Sequence, residues 1–314
     1  MAGHLSIHHH PVFERGVFER HPDLFSRFLH NTPDHLKAGY QKARAALSRY
    51  QEQVTWPLVV GPGICAGTHP GADNCFIAAM VATSTFIYNS DCLYLDPGLG
   101  VFAVSDAPGA STSSRLLLSK LEQRLHAHPP ADIADIVNAL NRETSQADST
   151  TLSLLYLPRE GTEGRAGSAL ALAAGDSYIF HGNLSHGRLR SIEGDPAFMG
   201  NPHISIEAQR IELERGDFFI IASDGIQSLR RNRDGVSLEQ ALREHIVPGG
   251  LSGFARSVIE GCNAVFEETI YDRAITRFGG SDNCSVLLVY PQELAEPDGA
   301  EGIILGGYVS DGLP

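Results

Sequence analysis

Three aspartates stand where apolar runs meet small turn residues: Asp106 in "GVFAVSDAPGAS", Asp224 in "DFFIIASDGIQSL" and Asp282 in "GGSDNCSVLLVY". The first two close a run that reads as a strand, and the third opens one. Carboxylates gathered at one end of a sheet raise each other's pKa unless a cation neutralises them. A set made of hard oxygen donors, with no Cys or His pattern beside it, points to Mg²⁺ or Mn²⁺. A single Asp-Gly is ordinarily a turn; three such sites in one chain carry more weight. The run "LVVGPGICAG" offers Gly61-x-Gly63-x-x-Ala66. It lacks the helix that a dinucleotide fingerprint requires, because "GTHPGAD" follows with Pro70 and two glycines.

The elements that must position these residues come from periodicity. From about residue 56, short Val-, Ile-, Leu- and Phe-rich runs read as strands: "PLVV", "CFIAAMVA", "GVFAV", "TLSLLYL", "SALALAA", "YIFHG", "DFFIIAS" and "CSVLLVY". Leu117, Leu118, Leu121 and Leu125 mark one helix, and Ile133, Ile136, Val137 and Leu140 a second. Leu238, Ala241, Leu242 and Ile246 mark a third, and Phe254, Val258, Cys262 and Phe266 a fourth. Strands, a helix pair, strands, a second pair and a last strand predict an α+β fold: a four-layer α-β-β-α sandwich of two antiparallel sheets. Leu36, Tyr40, Ala43 and Leu47 share one helical face, capped by Asp34, and are expected to dock on the main domain. The expected organisation is a helical extension over 1–54, with a mobile polar terminus at His8 to His10, a catalytic domain over 55–291, and an acidic, Gly-rich tail over 292–314. In that tail "GIILGGYV" has the makings of an edge strand.

Composition removes several classes. The chain has 314 residues, 42% of them hydrophobic, as a folded globular protein does. A net charge of −13 argues against nucleic acid as a partner. No apolar run approaches the ~18 residues needed to cross a membrane, and the N-terminus lacks the pattern of a signal peptide. Five cysteines without a CxxC pair read as reduced core thiols of a cytoplasmic protein, with no zinc site.

The order of motifs resembles that of the metal-dependent protein phosphatases (PPM, type 2C). That family carries Asp-Gly-x-Gly-Gly after a strand, a Gly-Asp-Ser turn, "ASDG" after an apolar strand, and Asp-Asn before the last core strand. This chain has "VFAVSDAPGAS", "LAAGDSYIF", "GDFFIIASDGI" and "GGSDNCSVLLV" in that order, over roughly residues 56–290. The resemblance implies two Mn²⁺ or Mg²⁺ ions, both held by Asp106, with Asp224 and Asp282 as further ligands of one of them. Ala107, in place of a family Gly, would lend its carbonyl, and Gly109 keeps one of the loop glycines. The implied reaction is hydrolysis of phosphoserine or phosphothreonine in a phosphoprotein substrate by a metal-bound hydroxide.

Two stretches depart from the family. Near its N-terminus the family has an Arg, then Asn-Glu-Asp, leading into a strand. Aligned on Phe76, His69 takes the place of that Arg, Asp73 of the Glu and Asn74 of the Asp. A one-residue slip puts Asp73 at the aspartate position, as one more metal ligand. His69 becomes a candidate for phosphate contact and for the general acid, or else a turn residue before Pro70. Tyr178 stands where the Gly-Asp-Ser turn normally continues with Arg. The alternative reading is a catalytically impaired pseudophosphatase that binds rather than hydrolyses.

Overall fold

The computed structural model describes residues 4–26, 41–42, 47, 54–81, 87–127, 132–158, 167–231, 233, 235–246, 251–270, 272–294 and 302–310. In chain order the strands are β1 (Ser6–Pro11), β2 (Thr55–Gly61), β3 (Ile64–His69), β4 (Ile87–Asp96), β5 (Val101–Ser105), β6 (Leu152–Tyr156), β7 (Ser168–Ala174), β8 (Tyr178–Asn183), β9 (Arg188–Ile192), β10 (Gln209–Glu212), β11 (Asp217–Ala222), β12 (Val265–Ile270), β13 (Arg273–Phe278), β14 (Cys284–Val289) and β15 (Ile303–Ser310). One sheet runs β1-β2-β3-β14-β11-β8-β9 and the other β10-β7-β6-β5-β4-β15, while β12 and β13 form a separate hairpin. Every pairing within the two sheets is antiparallel.

The apolar pattern explains the layers. In β11 all six residues are buried. Phe219 and Ile221 join Phe102, Val104, Leu155 and Leu287 in a core between the sheets. Phe218 and Ile220 face the other way, onto Val258 and Ile259 of the helix Phe254–Asn263. A continuous apolar run is what a strand covered on both faces requires. The second sheet is covered likewise: Tyr94, Val101 and Ala103 pack on Leu117, Leu118 and Leu121 of the helix Ser113–Ala127, and on Val137 and Leu140 of Ile133–Glu143. Asp132 caps the latter helix by accepting from the Ala134 N–H. Helices, sheet, sheet and helices give the expected four layers. No described helix is long and apolar enough to cross a membrane.

Three elements differ from expectation. "CFIAAMVA" lies in a helix, Ala72–Val81, rather than a strand. Ala72, Phe76 and Met80, four apart, form its buried stripe while Ile77 is exposed, and a short apolar run does not by itself separate helix from strand. His8, His9 and His10 belong to β1, paired with Leu58, Pro57 and Trp56 as the outer strand of the first sheet, rather than to a mobile terminus. Behind that strand Phe13, Phe18, Leu24 and Phe25 are buried around Phe76 and Phe278, so residues 6–25 pack on the domain as a strand, a one-turn helix Val17–Arg20 and a 3-10 turn Pro22–Phe25. At the other end β15 pairs with β4, which makes the tail an outer strand of the second sheet. Of the helical face expected at Leu36, Tyr40, Ala43 and Leu47, only Leu47 lies within the described residues, and it is buried. The fourth expected helix stops at Asn263, with Phe266 already in β12. The five cysteines are free and buried.

Candidate metal centre

The strands β4, β5, β11 and β14 bring four carboxyls together at one end of the sandwich. Asp106 follows β5 directly. Its backbone is clamped by the start of the next strand: its N–H donates to Thr151 Oγ1 at 2.9 Å, and its carbonyl accepts from the Thr151 N–H at 2.8 Å and from Thr150 Oγ1 at 2.7 Å. Thr151 Oγ1 in turn lies 2.6 Å from Ser177 Oγ, so the Gly-Asp-Ser turn braces the same clamp. Asp224 opens a 3-10 turn, Asp224–Arg230, after β11. Gly225 beside it is required by close approach, because a Cβ there would overlap the Asn283 carbonyl oxygen. Asp282 is exposed at the edge of the site, and its Oδ1 accepts from the Asn283 N–H at 2.8 Å. Asn283 is the fastener of the region. Its Oδ1 accepts from Ser90 N–H at 2.8 Å and Ser90 Oγ at 2.6 Å, and its Nδ2 donates to the Pro70 carbonyl at 2.9 Å.

The fourth carboxyl is Asp91, which no turn or strand end marks in the sequence. It sits in the middle of β4 and is 1% exposed. Since Cys92 pairs with Ser105, the next register position sets Asp91 against Asp106. Ser223 Oγ donates to Asp91 Oδ2 at 2.5 Å. Burial, and then the neighbouring Asp91 carboxyl, push the Asp106 pKa far up; burial also raises Asp91, although hydroxyl donors such as Ser223 partly offset it. Asp91 and Asp224 both act on Asp106, so the three carboxyls crowd one another in a buried space. Asp224 is pushed up from 3.8 to about 6 by burial and then by Asp282 and Asp176.

Does this set fit divalent cations? Asp91 Oδ1 and Asp224 Oδ1 are buried and have no hydrogen-bond partner, the state of a ligand oxygen awaiting a cation. The Ala107 carbonyl accepts no hydrogen bond from the described residues, and Ala107 is 1% exposed beside Asp106. The donors are all oxygen. Among the described residues, no three His, Cys, Asp or Glu side chains surround a common point at ligand distance. The carboxyls crowd one another and their raised pKa values favour the protonated form, so a cation would have to displace those protons and part the side chains. The residues fit Mg²⁺ or Mn²⁺ on that condition.

Asp73 and His69, expected as metal ligand and phosphate contact, are not brought to this cluster. Asp73 is 0% exposed at the start of the helix Ala72–Val81, with Oδ2 held by Arg277 Nη2 at 3.0 Å. A carboxylate already neutralised by a guanidinium is poorly placed to ligate a metal. His69 ends β3, 1% exposed, with Nδ1 accepting from the Gly71 N–H at 2.9 Å and its ring 5.7 Å from that of Trp56. Burial lowers its pKa to about 3, so the ring is neutral and can serve neither as a charged phosphate contact nor as a general acid at neutral pH. Asn74, expected at the family's aspartate position, spends its Nδ2 on the Pro70 carbonyl at 3.1 Å. An Asn-x-Asp pattern also occurs at Asn89-Ser90-Asp91, inside β4 and one hairpin before Asp106.

No protein-family model matches this sequence, and no curated protein sequence matches it. Solved structures do. PppA, a key regulatory component of T6SS in Pseudomonas aeruginosa, superposes with a TM-score of 0.50 at 20% identity, covering 72% of this chain and 96% of that one. A bacterial serine phosphatase superposes with a TM-score of 0.51 at 12% identity, covering 76% of this chain and all of its own, 100%. The chain therefore has the fold of the PP2C-type serine phosphatases.

Proposed function

We propose that this chain is a metal-dependent phosphatase acting on phosphoserine or phosphothreonine in proteins, with two Mn²⁺ or Mg²⁺ ions held by Asp91, Asp106, Asp224, Asp282 and the Ala107 carbonyl. The observation that carries this reading is the convergence of four carboxyls from four strands, two of them with buried, unpartnered oxygens. When bound, such ions supply a water ionised at neutral pH and neutralise charge on a phosphoryl group. The chain's own task is preorganisation. Asp106, which both Asp91 and Asp224 act on, would hold the ions with them, and its backbone is locked by Thr150 and Thr151. Ser223 fixes the rotamer of Asp91. Asp282 stands at the open side, where substrate would enter.

One observation favours the second reading, a pseudophosphatase. No Lys or Arg occurs between Arg49 and Arg115, the stretch in which the resemblance places a phosphate-binding Arg. The two readings separate in one experiment. Hydrolysis of p-nitrophenyl phosphate and of a phosphoserine peptide is followed with and without Mn²⁺, alongside a count of bound metal. The expected result is Mn²⁺-dependent hydrolysis of both, lost in Asp106→Asn. Two bound ions without hydrolysis would establish the pseudophosphatase instead.

A further inference from the structure

An open groove of about 540 Å³ begins at Asp224 and Asp282 and runs past Arg230, Arg231 and Arg233. In a chain of net charge −13, three guanidinium groups at the mouth of an acidic centre are a local reversal of sign. Their states differ. Arg231 is structural: its Nη2 donates to Ser281 Oγ at 3.1 Å and its guanidinium lies 4.7 Å over the Phe266 ring, which ties the turn to the loop carrying Asp282. Arg233 is paired with Glu244 at 2.5 Å. Arg230 is exposed and spends only its Nε, on the Val236 carbonyl at 3.0 Å. Among the described residues it has no carboxylate partner, which leaves four N–H donors facing solvent.

Distance along the turn decides what Arg230 would meet. Asp224 and Arg230 begin and end one 3-10 turn, and six residues at about 2 Å each place their Cα atoms about 12 Å apart. Arg230 is not among the charges that act on Asp224, so its guanidinium does not lie against the carboxyl cluster. A peptide whose phosphoryl group is held at the cluster covers that span with roughly three or four residues of extended chain.

We infer that the Arg230 groove binds acidic side chains lying about three or four residues from the phosphorylated serine or threonine, and so selects acidic phosphoprotein segments. This rests on the phosphatase reading above. Since the groove is open, the contact is screened by salt.

The test uses the Mn²⁺-loaded protein and two phosphoserine peptides that differ only in carrying Glu or Ala three and four residues on either side. The wild type is expected to prefer the Glu peptide by about tenfold in kcat/KM at low salt. Arg230→Ala should bring the ratio to about one, and Arg230→Glu should invert it in favour of a Lys-flanked peptide. An unchanged ratio in Arg230→Ala overturns the inference. So does a proportionate loss on p-nitrophenyl phosphate, which would put Arg230 on the phosphoryl group itself. A second arm measures anisotropy of the labelled, unphosphorylated Glu peptide. If no substrate is hydrolysed but this peptide binds in an Arg230-dependent way, the phosphatase reading falls and the groove stands. If binding is indifferent to Arg230, the groove falls.

Discussion

Ser223 and Asp91 show how much of this site depends on single oxygens. Asp91 is fully buried, with one oxygen accepting from Ser223 and the other unpartnered. Asp91→Asn replaces an anionic ligand by an amide whose NH₂ repels a cation. Mn²⁺ affinity, read by calorimetry, should fall by more than the ~10–100-fold typical of an outer-shell change, with the circular dichroism spectrum unaltered. Ser223→Ala leaves every ligand in place but frees the Asp91 rotamer, and should cost about 10–100-fold in metal affinity. Unchanged Mn²⁺ binding in both variants would remove Asp91 from the centre. Legibility in the sequence follows the same chemistry. Asp106, Asp224 and Asp282 adjoin strand ends and small residues, so each is flagged by its turn. Asp91 has no turn beside it; it lies inside a ten-residue strand, and only the Asn-x-Asp pattern of Asn89 to Asp91 marks it. Aligning on Phe76 misplaces His69 and Asp73, because Phe76 is a core residue of a helix and not of the strand the family pattern needs.

At the scale of elements, the outer strand β15 reaches the centre from outside. Gly306 and Gly307 have positive φ, at 83° and 61°, and form a bulge opposite β4. A Cβ on Gly306 would overlap the Asp91 carbonyl oxygen, and Arg115 Nη1 holds the Gly306 carbonyl at 2.8 Å. Gly306→Ala therefore combines left-handed strain with a push on the strand that carries Asp91. It should cost at least ~2 kcal/mol in urea denaturation and reduce metal-dependent turnover. Stability and turnover equal to wild type would show that β15 is only a cover. The two-sheet core was readable because "DFFIIA" and "CSVLLV" are apolar on both faces. The ends of the chain were harder. β1 is Ser6–Pro11 with three consecutive histidines, and its place comes from pairing with β2 across more than forty residues, which no local pattern encodes.

The molecule as a whole carries two opposed pH dependences. Asp91, Asp106 and Asp224 have raised pKa values in the folded protein, so without metal the fold holds more protons than the unfolded chain above pH 3.8. Their contribution is intact below that pH and is lost as pH rises through about 6, where Asp224 ionises, and beyond, where Asp91 and Asp106 follow. His69 acts in the other direction. With its pKa lowered from 6.5 to about 3, its contribution is complete above 6.5 and is lost as pH falls below it. Three carboxyls outweigh one histidine, so the metal-free protein should lose Tm steadily as pH rises from about 4 to 9, with His69 only softening the slope below 6.5. Divalent cations need the carboxyls deprotonated, so saturating Mn²⁺ should raise Tm more at pH 8 than at pH 6 and flatten or invert the alkaline slope. Asp106→Asn removes the most strongly raised carboxyl; it should increase metal-free Tm at pH 8 and lose much of the Mn²⁺ response. Thermal melts over this pH range decide the matter. A metal-free Tm that is flat or rising from pH 6 to 9, or an Asp106→Asn protein less stable than wild type at pH 8, would mean that the four carboxyls do not repel one another and do not await a cation.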